Sequence, residues 1–189
     1  MPSVLVPLAD GVEEMEAVIT IDVLRRAQWN VTTAGLKDGL VTASRGVRFV
    51  PDQVWSAIDS HAFDILMIPG GAAGAEHLAQ DERVLETIRW FDRSGKRIGA
   101  VCAGPLVLQA AGILKGRQAT CHPGVADKLT ATVRRNDRVV VDRNLVTSQG
   151  PGTCFEFALA LVRLVDGPEK AAALAQAMVL PQEGLKAET

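Results

Sequence analysis

The chain has 189 residues, of which 48% are hydrophobic, and it carries a formal net charge of −2. These values predict one globular domain with its own core and exclude a disordered or disulfide-stapled chain. The nearly balanced charge gives no reason to expect a nucleic acid or an anionic membrane as a partner. There is no signal-peptide pattern, and no apolar run approaches the roughly 20 residues of a membrane span. Three cysteines, an odd number, therefore predict free thiols and a cytoplasmic location.

Short apolar runs alternate with helical patterns along the chain. The first helical pattern has Asp10 as a candidate N-cap, with Glu13 three residues further on. The apolar run 64–68, which Pro69-Gly70-Gly71 stops, is typical of a buried parallel strand. The predicted strands are 3–9, 30–36, 40–43, 47–50, 64–68, 97–101, 138–141 and 145–147, and the predicted helices are 13–28, 82–94, 105–111, 153–165 and 169–178.

The order of these elements predicts an α/β fold, a mostly parallel sheet with helices on both faces. No repeat, linker or low-complexity segment divides the chain. We therefore expect residues 1–189 to form a single domain, with a polar tail at about 181–189.

The loop after strand 97–101 carries the strongest chemical signal. Ligands of open α/β sheets bind beyond the carboxyl ends of the strands. There the chain passes from strand to helix through Cys102 and small neighbours, which predicts a sharp turn with an exposed sulfur, as in a nucleophile elbow. The helix start should lower the pKa of the thiol, and its N–H groups, like those of Gly70 and Gly71, would stabilise an oxyanion. A cysteine that serves packing alone is the alternative.

A reactive thiol needs an acid or a base, and histidine is the first candidate. His122 lies in a loop before a Pro-Gly turn, whereas His61 and His77 lie in polar segments typical of the surface. Taken alone, His122 is more typical of a loop residue than of a catalyst.

Three acids, Glu13, Glu14 and Glu16, open the first predicted helix, where carboxylates complement the helix dipole. Glu16 shares a helical face with Ile19, Thr20 and Val23, so its carboxyl group could be buried with a raised pKa. Glu14 shares an equally apolar face. Periodicity alone leaves both open.

Motifs for metals and nucleotide cofactors are missing from the sequence. Cys102, Cys121, His122 and Cys154 lack the close spacing of a structural zinc site, and there is no GxGxxG after the first strand and no GxxxxGK[ST]. We expect neither metal nor cofactor. Cys121 and Cys154 are interpreted as packing residues.

Seven segments taken together resemble the DJ-one branch of the ThiJ/PfpI family, which contains the parkinsonism-associated protein deglycase and its bacterial relatives. The resemblance runs from about residue 3 to about residue 180. The segments are 11–18, 24–27, 44–47, 68–71, 100–105, 121–123 and 147–153.

This resemblance implies a flavodoxin-like fold, a homodimer and a set of site residues. Cys102 would be the reactive cysteine, and Glu16 the protonated glutamate that hydrogen-bonds its sulfur, which resolves the choice between the two acids. His122 would be the family histidine. The resemblance also implies backbone groups of Gly70, Gly71 and Ala103 around the substrate and an arginine near the pocket, Arg45.

The chain departs from two other branches of the family. The protease branch has a histidine directly after the cysteine, where this chain has Ala103. The amidotransferase relatives have a glutamate two residues after their histidine, where this chain has Gly124. A peptidase or amidase is therefore the weaker hypothesis.

The leading hypothesis is a cofactor-independent cysteine enzyme for reactive dicarbonyls. It would act as a glyoxalase that gives a hydroxy acid from methylglyoxal, as a protein deglycase, or as both. The alternative is an oxidative-stress sensor and redox-regulated chaperone, in which Glu16 stabilises the oxidised thiol of Cys102. The expected partners are a small dicarbonyl or glycated substrate and a second copy of the chain.

Overall fold

A computed structural model describes residues 1–181 of the chain. The polar tail predicted at 181–189 lies, apart from its first residue, outside the described residues. The strands are β1 (Ser3–Leu8), β2 (Asn30–Gly35), β3 (Val41–Thr42), β4 (Arg48–Phe49), β5 (Gln53–Val54), β6 (Ile65–Ile68), β7 (Arg97–Val101), β8 (Gln118–Ala119), β9 (Val133–Arg134), β10 (Val139–Asp142) and β11 (Leu145–Ser148). The helices are α1 (Glu14–Arg26), α2 (Ala72–Gln80), α3 (Glu82–Arg93), α4 (Gly104–Ala110), α5 (Cys154–Asp166) and α6 (Pro168–Ala177).

Seven strands form the central sheet in the order β10-β11-β7-β6-β1-β2-β5. All neighbouring pairs are parallel except β10 and β11, which form an antiparallel hairpin. The four residues of β6 are all buried because helices cover both faces of the sheet. This is the α/β architecture that the order of apolar runs predicted.

The helices form two layers, and each layer closes one half of the core. Helices α1, α5 and α6 pack on one face, around a cluster that contains Val6, Val23 and Phe157. Helices α2, α3 and α4 pack on the other face, around a cluster that contains Leu66, Ile88 and Leu108. The amphipathic patterns of α3 and α5 are explained by this packing, since the apolar stripe of each faces the sheet, whereas α6 packs on α5.

Several short elements were missing from the prediction. Helix α2 was missed because it is built from small residues, with Leu78 as its largest buried side chain. Strands β5, β8 and β9 have two residues each, too few for an alternating pattern to show. The antiparallel β3–β4 pair does confirm the predicted β excursion.

The predicted N-cap of the first helix was wrong. Glu13 caps α1, and its carboxylate accepts a hydrogen bond from the backbone N–H of Glu16 at 2.8 Å. Asp10 instead accepts from the backbone N–H of Thr42 at 2.9 Å and pairs with Lys37. The helix therefore starts three residues later than an Asp10 cap requires, because the loop after β1 is held by β3.

Candidate active site

Cys102 lies at the turn between β7 and α4, in a strained backbone conformation. Its φ angle is 62°, in the left-handed region that a residue with a Cβ rarely adopts. Two hydrogen bonds hold it there: its N–H donates to the carbonyl of Ser148 at 2.9 Å, and its carbonyl accepts from the N–H of His122 at 3.0 Å. The thiol is half-buried at the carboxyl ends of the central strands. The predicted elbow is therefore present, and its strain is maintained by neighbours on both sides.

The glycine pair after β6 lets two chain segments approach the thiol closely. A Cβ built on Gly70 would lie 2.6 Å from Cys102 Cβ and 2.5 Å from Glu16 Oε2. Gly71 has a φ of 88°, and a Cβ there would lie 2.2 Å from the carbonyl oxygen of Gly11. Only glycine fits either position. Because neither residue has a side chain, the backbone N–H groups of Gly70 and Gly71 can lie close to Glu16 and Cys102.

Glu16 reaches the same point from α1 and is completely buried. Its Oε2 accepts a hydrogen bond from the N–H of Gly70 at 2.8 Å, while Oε1 has no hydrogen-bond partner within residues 1–181. Burial raises the pKa of Glu16 to about 7, and the charge of Glu13 adds to this effect. The interaction with Cys102 and the Gly70 N–H act in the opposite direction. A buried carboxyl group with one unpartnered oxygen favours its protonated form.

The pKa of Cys102 is raised rather than lowered, so the prediction from the helix start was wrong. Burial raises it to about 12, and the charge and hydrogen bonding of Glu16 act in the same direction. The N–H groups of Gly71 and Ala103 lower it, but by less. The sulfur at the elbow is less exposed than predicted. The N–H groups at the start of the short helix α4 lower the thiol pKa by less than burial and the Glu16 carboxyl group raise it.

Cys102 and Glu16 therefore titrate as a coupled pair. The contribution of Glu16 to the thiol pKa depends on its charge, so it reverses when the carboxyl group is protonated. Once the pair has lost one proton, a state with a thiolate and a neutral carboxyl group gains the N–H groups of Gly71 and Ala103 as donors to the sulfur. The geometry can thus supply a thiolate if Glu16 keeps the shared proton.

The other acid that periodicity left open has a different position. Glu14 is also buried, and its carboxylate accepts hydrogen bonds from the hydroxyl of Ser44 and the backbone N–H of Arg45, both at 2.8 Å. Both helical faces are thus covered, one by the site and one by the β3–β4 hairpin, which is why the pattern could not separate them. The Arg45 side chain is exposed and donates to the carbonyl of Ser44 at 3.3 Å. These contacts tie Arg45 to the hairpin, and its predicted place near the pocket stays a prediction.

His122 is brought next to the elbow through its backbone. Besides the N–H bond to Cys102, its ring Nδ1 accepts a hydrogen bond from the N–H of Gly124 at 3.0 Å. The neutral ring therefore carries its proton on Nε2. The ring is exposed, and Gly150 lies against its Cδ2 edge, where a Cβ would come within 3.2 Å. His61 and His77 are exposed, as predicted.

A loop after β11 closes the His122 side of the site, and sequence reasoning assigned no role to its anchors. The Thr153 hydroxyl lies 2.6 Å from that of Ser148 and takes hydrogen bonds from the N–H groups of Gln149 and Gly150. Outside the loop, Arg138 donates to the carbonyl of Gly152 at 2.7 Å. The segment 147–153 was recognised as a motif, but nothing in its spacing indicates that its side chains hold its own backbone.

The remaining cysteines lie inside the core. Cys121 is 2% exposed, and Cys154 is fully buried with its sulfur 3.3 Å from the carbonyl oxygen of Gly150. Burial raises the pKa of both thiols. Within residues 1–181, no three His, Cys, Asp or Glu side chains are grouped as a metal site requires.

Comparison with known proteins identifies a family for this chain. Residues 2–164 match the sequence profile of the DJ-1/PfpI family. The chain is 45% identical over 181 residues to protein DJ-1 homolog B of Arabidopsis thaliana, covering 95% of this chain and 41% of the plant protein. It is 41% identical over 179 residues to the glutathione-independent glyoxalase DJR-1.2 of Caenorhabditis elegans, covering 94% of this chain and 95% of the nematode protein. The chain thus spans less than half of the plant relative and nearly all of the nematode one.

Solved structures show the same fold. The Drosophila melanogaster DJ-1beta crystal structure superposes with a TM-score of 0.92 at 38% identity, covering 95% of this chain and 98% of the fly chain. An oxidized Toxoplasma gondii DJ-1 gives a TM-score of 0.91, also at 38% identity, covering 95% of this chain and 99% of the other. The fold is therefore the flavodoxin-like fold that the resemblance implied.

Proposed function

The chain belongs to the DJ-1/PfpI family, and on that premise we propose that it converts reactive dicarbonyls such as methylglyoxal to hydroxy acids without a cofactor. The observation that carries the proposal is the buried Glu16 carboxyl group, raised in pKa to about 7, beside the strained Cys102 thiol. Addition to an aldehyde requires a nucleophile and a nearby acid that protonates the developing oxyanion. Cys102 and Glu16 would fill these two roles when the thiol is ionised and the carboxyl group keeps its proton.

The first step forms the carbon–sulfur bond. The Cys102 thiolate adds to the aldehyde carbon, and the electron pair of the C=O bond moves to its oxygen. That oxygen takes the proton of Glu16, and the N–H groups of Gly71 and Ala103 stabilise it while it is charged. The product is a hemithioacetal, and Glu16 is now a carboxylate.

The next steps move one hydrogen between adjacent carbons. The Glu16 carboxylate removes the hydrogen from the carbon bonded to sulfur, and the freed electron pair forms an enediol. The Nε2–H of His122 donates to the neighbouring ketone oxygen as negative charge develops there. Glu16 then returns the proton to the second carbon, and the hydroxyl proton on the first carbon moves through His122 to the oxygen of the second, which gives a lactate thioester. Water hydrolyses this thioester: its oxygen goes to lactate, one of its protons returns to Glu16, the other is released to solvent, and the Cys102 thiolate is restored.

Formation of lactate from methylglyoxal without glutathione tests the proposal. We expect the wild type to form lactate and Cys102→Ser to form none while keeping its circular dichroism spectrum, because a serine hydroxyl is a far weaker nucleophile in this setting. Cys121→Ser is the matched control, since that thiol is buried. A Cys102→Ser variant with near wild-type turnover would exclude Cys102 as the nucleophile.

An oxidation sensor is the second candidate, and the same pair of side chains favours it. A protonated Glu16 can donate a hydrogen bond to the oxygen of a Cys102 sulfinate, provided an oxidant such as peroxide supplies that oxygen. The two functions differ in His122, which proton transfer requires and oxidation does not. Loss of lactate formation in His122→Ala, with an unchanged rate of Cys102 oxidation by peroxide, would support the enzyme. Absence of turnover in the wild type with rapid oxidation of Cys102 would support the sensor.

We also propose that the protein is a homodimer and acts in the cytoplasm. Its substrate would be a small dicarbonyl or a glycated group on a protein. Apolar side chains on the outer side of α1 support the dimer, as Met15 and Val18 are about half exposed. Within residues 1–181, no helix has the length and apolar character required to cross a bilayer.

A further inference from the structure

A buried arginine lies outside the site and takes no part in the proposed chemistry. Arg117, just before β8, has a side chain only 6% exposed. A buried guanidinium is costly unless it is paired and hydrogen-bonded, so its surroundings indicate what it holds in place.

Arg117 joins the start of β8 to α3, to the end of β10 and to the turn that follows β10. Its Nη1 donates to Asp92 of α3 at 3.0 Å, and its Nη2 donates to the Asn144 side chain at 2.7 Å. The same Nη2 donates to the backbone carbonyl of Asp142 at 2.9 Å, and Nε lies 3.5 Å from the Asp142 carboxylate. The Asp142 carboxylate lies between the end of β10 and the start of β8, where it is ion-paired with Arg117 and also lies 3.5 Å from Nε of Arg143.

Strand β8 has an unusual attachment to the central sheet. On one side, the carbonyls of Arg117 and Ala119 accept hydrogen bonds from β9 and the residue after it. On the other side, alternate N–H groups donate to three different acceptors. These are the Asp142 carboxylate for Gln118 at 2.7 Å, the Thr147 hydroxyl for Thr120 at 3.0 Å and the Cys102 carbonyl for His122 at 3.0 Å.

The first two acceptors are side chains, so the position of this segment depends on side-chain orientation rather than on a backbone ladder. The third contact belongs to His122 itself. Gln118, which contacts Asp142, and His122, which contacts Cys102, thus lie four residues apart on one continuous segment.

We propose that Arg117 is a positioning residue for His122: by holding the Asp142 carboxylate, it fixes the first of the three contacts that dock β8 and so sets where the His122 ring stands beside Cys102. Only the predicted effect of Arg117 on turnover rests on the proposed function. The effect on the ring is independent of the reaction.

The test combines Arg117→Met with nuclear magnetic resonance of the histidine rings. Methionine keeps much of the length and removes the charge and the donors. We expect the His122 ring signals to shift or broaden while those of His77, on α2, stay in place. With methylglyoxal, kcat should fall about tenfold or more and KM should change less than about twofold, because small displacements of a catalytic group act mainly on the chemical step.

Arg97→Met is the matched control, since Arg97 lies on β7 and donates to the carbonyl of Leu164, away from β8. It should leave the His122 signals and kcat unchanged. Wild-type His122 signals and kcat in Arg117→Met, with only a lower melting temperature, would overturn the proposal and leave Arg117 a purely structural residue.

A second pair of variants applies if Arg117→Met does not fold. Thr147→Val removes the middle acceptor without disturbing the buried charges, and Thr147→Ser keeps its oxygen. We expect the valine variant to move the His122 signals and the serine variant to restore them. Unchanged signals in both would also overturn the proposal. If the wild type does not turn over methylglyoxal, the proposed function fails and the ring signals alone decide this inference.

Discussion

Glu16 and Cys102 act on each other more than on any other group in the site. The buried carboxyl group has its pKa raised to about 7, and the thiol has its pKa raised to about 12 by burial and by that same carboxyl group. Near neutral pH the pair thus carries between one and two protons. The chemistry uses the minor state in which the sulfur has lost a proton and Glu16 keeps one, and the N–H groups of Gly71 and Ala103 stabilise the thiolate of that state.

The raised pKa of Glu16 predicts a pH dependence of stability. The pKa of Glu16 is about 7 in the folded protein, above the ordinary value of 4.5, so the folded state holds this proton more tightly than the unfolded state does. The contribution of the protonated carboxyl group to the unfolding free energy is therefore complete below about pH 4.5 and is lost as pH rises through 7. In the wild type this loss amounts to at most about 3 kcal/mol of unfolding free energy. Glu16→Gln cannot ionise and should lack this part of the slope in urea denaturation between pH 4.5 and 8. The exposed Glu76→Gln serves as control, and an equal slope in Glu16→Gln and wild type would contradict the assignment.

Gly70→Ala should damage both the fold and the site. The added Cβ would lie 2.5 Å from Glu16 Oε2 and 2.6 Å from Cys102 Cβ, so one of them must move. Overpacking of this kind costs about 1–3 kcal/mol, and we expect turnover to be lost with it. Gly152→Ala, where a Cβ meets nothing within 4 Å, should leave the unfolding free energy unchanged. Thermal unfolding and lactate formation measure both effects, and an active, fully stable Gly70→Ala would show that the close approach is not needed.

At the level of elements, Arg138 links the start of β10 to the loop and to α5. It donates to the Gly152 carbonyl at 2.7 Å and to the Glu156 carboxylate at 2.7 Å. The Ser148 hydroxyl donates to the Arg138 carbonyl at 2.8 Å, so the same residue contacts β11 as well. Arg138 therefore holds the loop that carries Gly150, which lies against the His122 ring.

Removing this fastening should affect substrate binding more than stability. The pair is partly exposed, so a double-mutant cycle of Arg138→Gln and Glu156→Gln should give a coupling energy of about 1 kcal/mol or less. Because the loop borders the site, we expect Arg138→Gln to raise the KM for methylglyoxal more than it lowers kcat. The Asp166–Lys170 pair on the far end of α5 provides a control that should leave KM unchanged. An unchanged KM in Arg138→Gln would show that the loop keeps its position without it.

The long helices and strands with a clear apolar pattern could be predicted from the sequence. The tertiary contacts that position the side chains of the site could not. Strand β7 was predicted at its observed bounds, Arg97–Val101, between the helix predicted to end at Ser94 and the turn at Cys102. The elbow at Cys102 was predicted from its small neighbours. A lowered thiol pKa was predicted wrongly, because the pKa depends first on burial of the sulfur and then on a carboxyl group 86 residues earlier in the chain. Periodicity could not tell whether that group was Glu16 or Glu14. The docking of β8 was missed because two of its three acceptors are side chains of distant residues.

On the scale of the whole molecule, one outer face is more apolar than a monomer needs. Met15 and Val18 on α1 and Val47 and Val50 around β4 are 47–81% exposed. Glu14 accepts hydrogen bonds from Ser44 and Arg45, so these two segments are neighbours on the surface. This surface is the place where the proposed dimer would form.

Charge placed on this surface should therefore separate the subunits. We expect the wild type to sediment as a dimer and Val18→Glu to sediment as a monomer with a native spectrum, because an unpaired carboxylate is costly in an apolar interface. Val179→Glu is the control, since Val179 is exposed but lies after α6. A wild type that sediments as a monomer at micromolar concentration would exclude the proposed dimer.

The covalent bond to Cys102 can be observed directly. During turnover of methylglyoxal without glutathione, an acid quench followed by peptide mapping by mass spectrometry should find the lactate thioester on the peptide that contains Cys102. Cys121 and Cys154 should stay unmodified, because both thiols are buried with raised pKa values. Lactate that forms with no adduct on Cys102, or with an adduct only on another residue, would contradict the proposed chemistry.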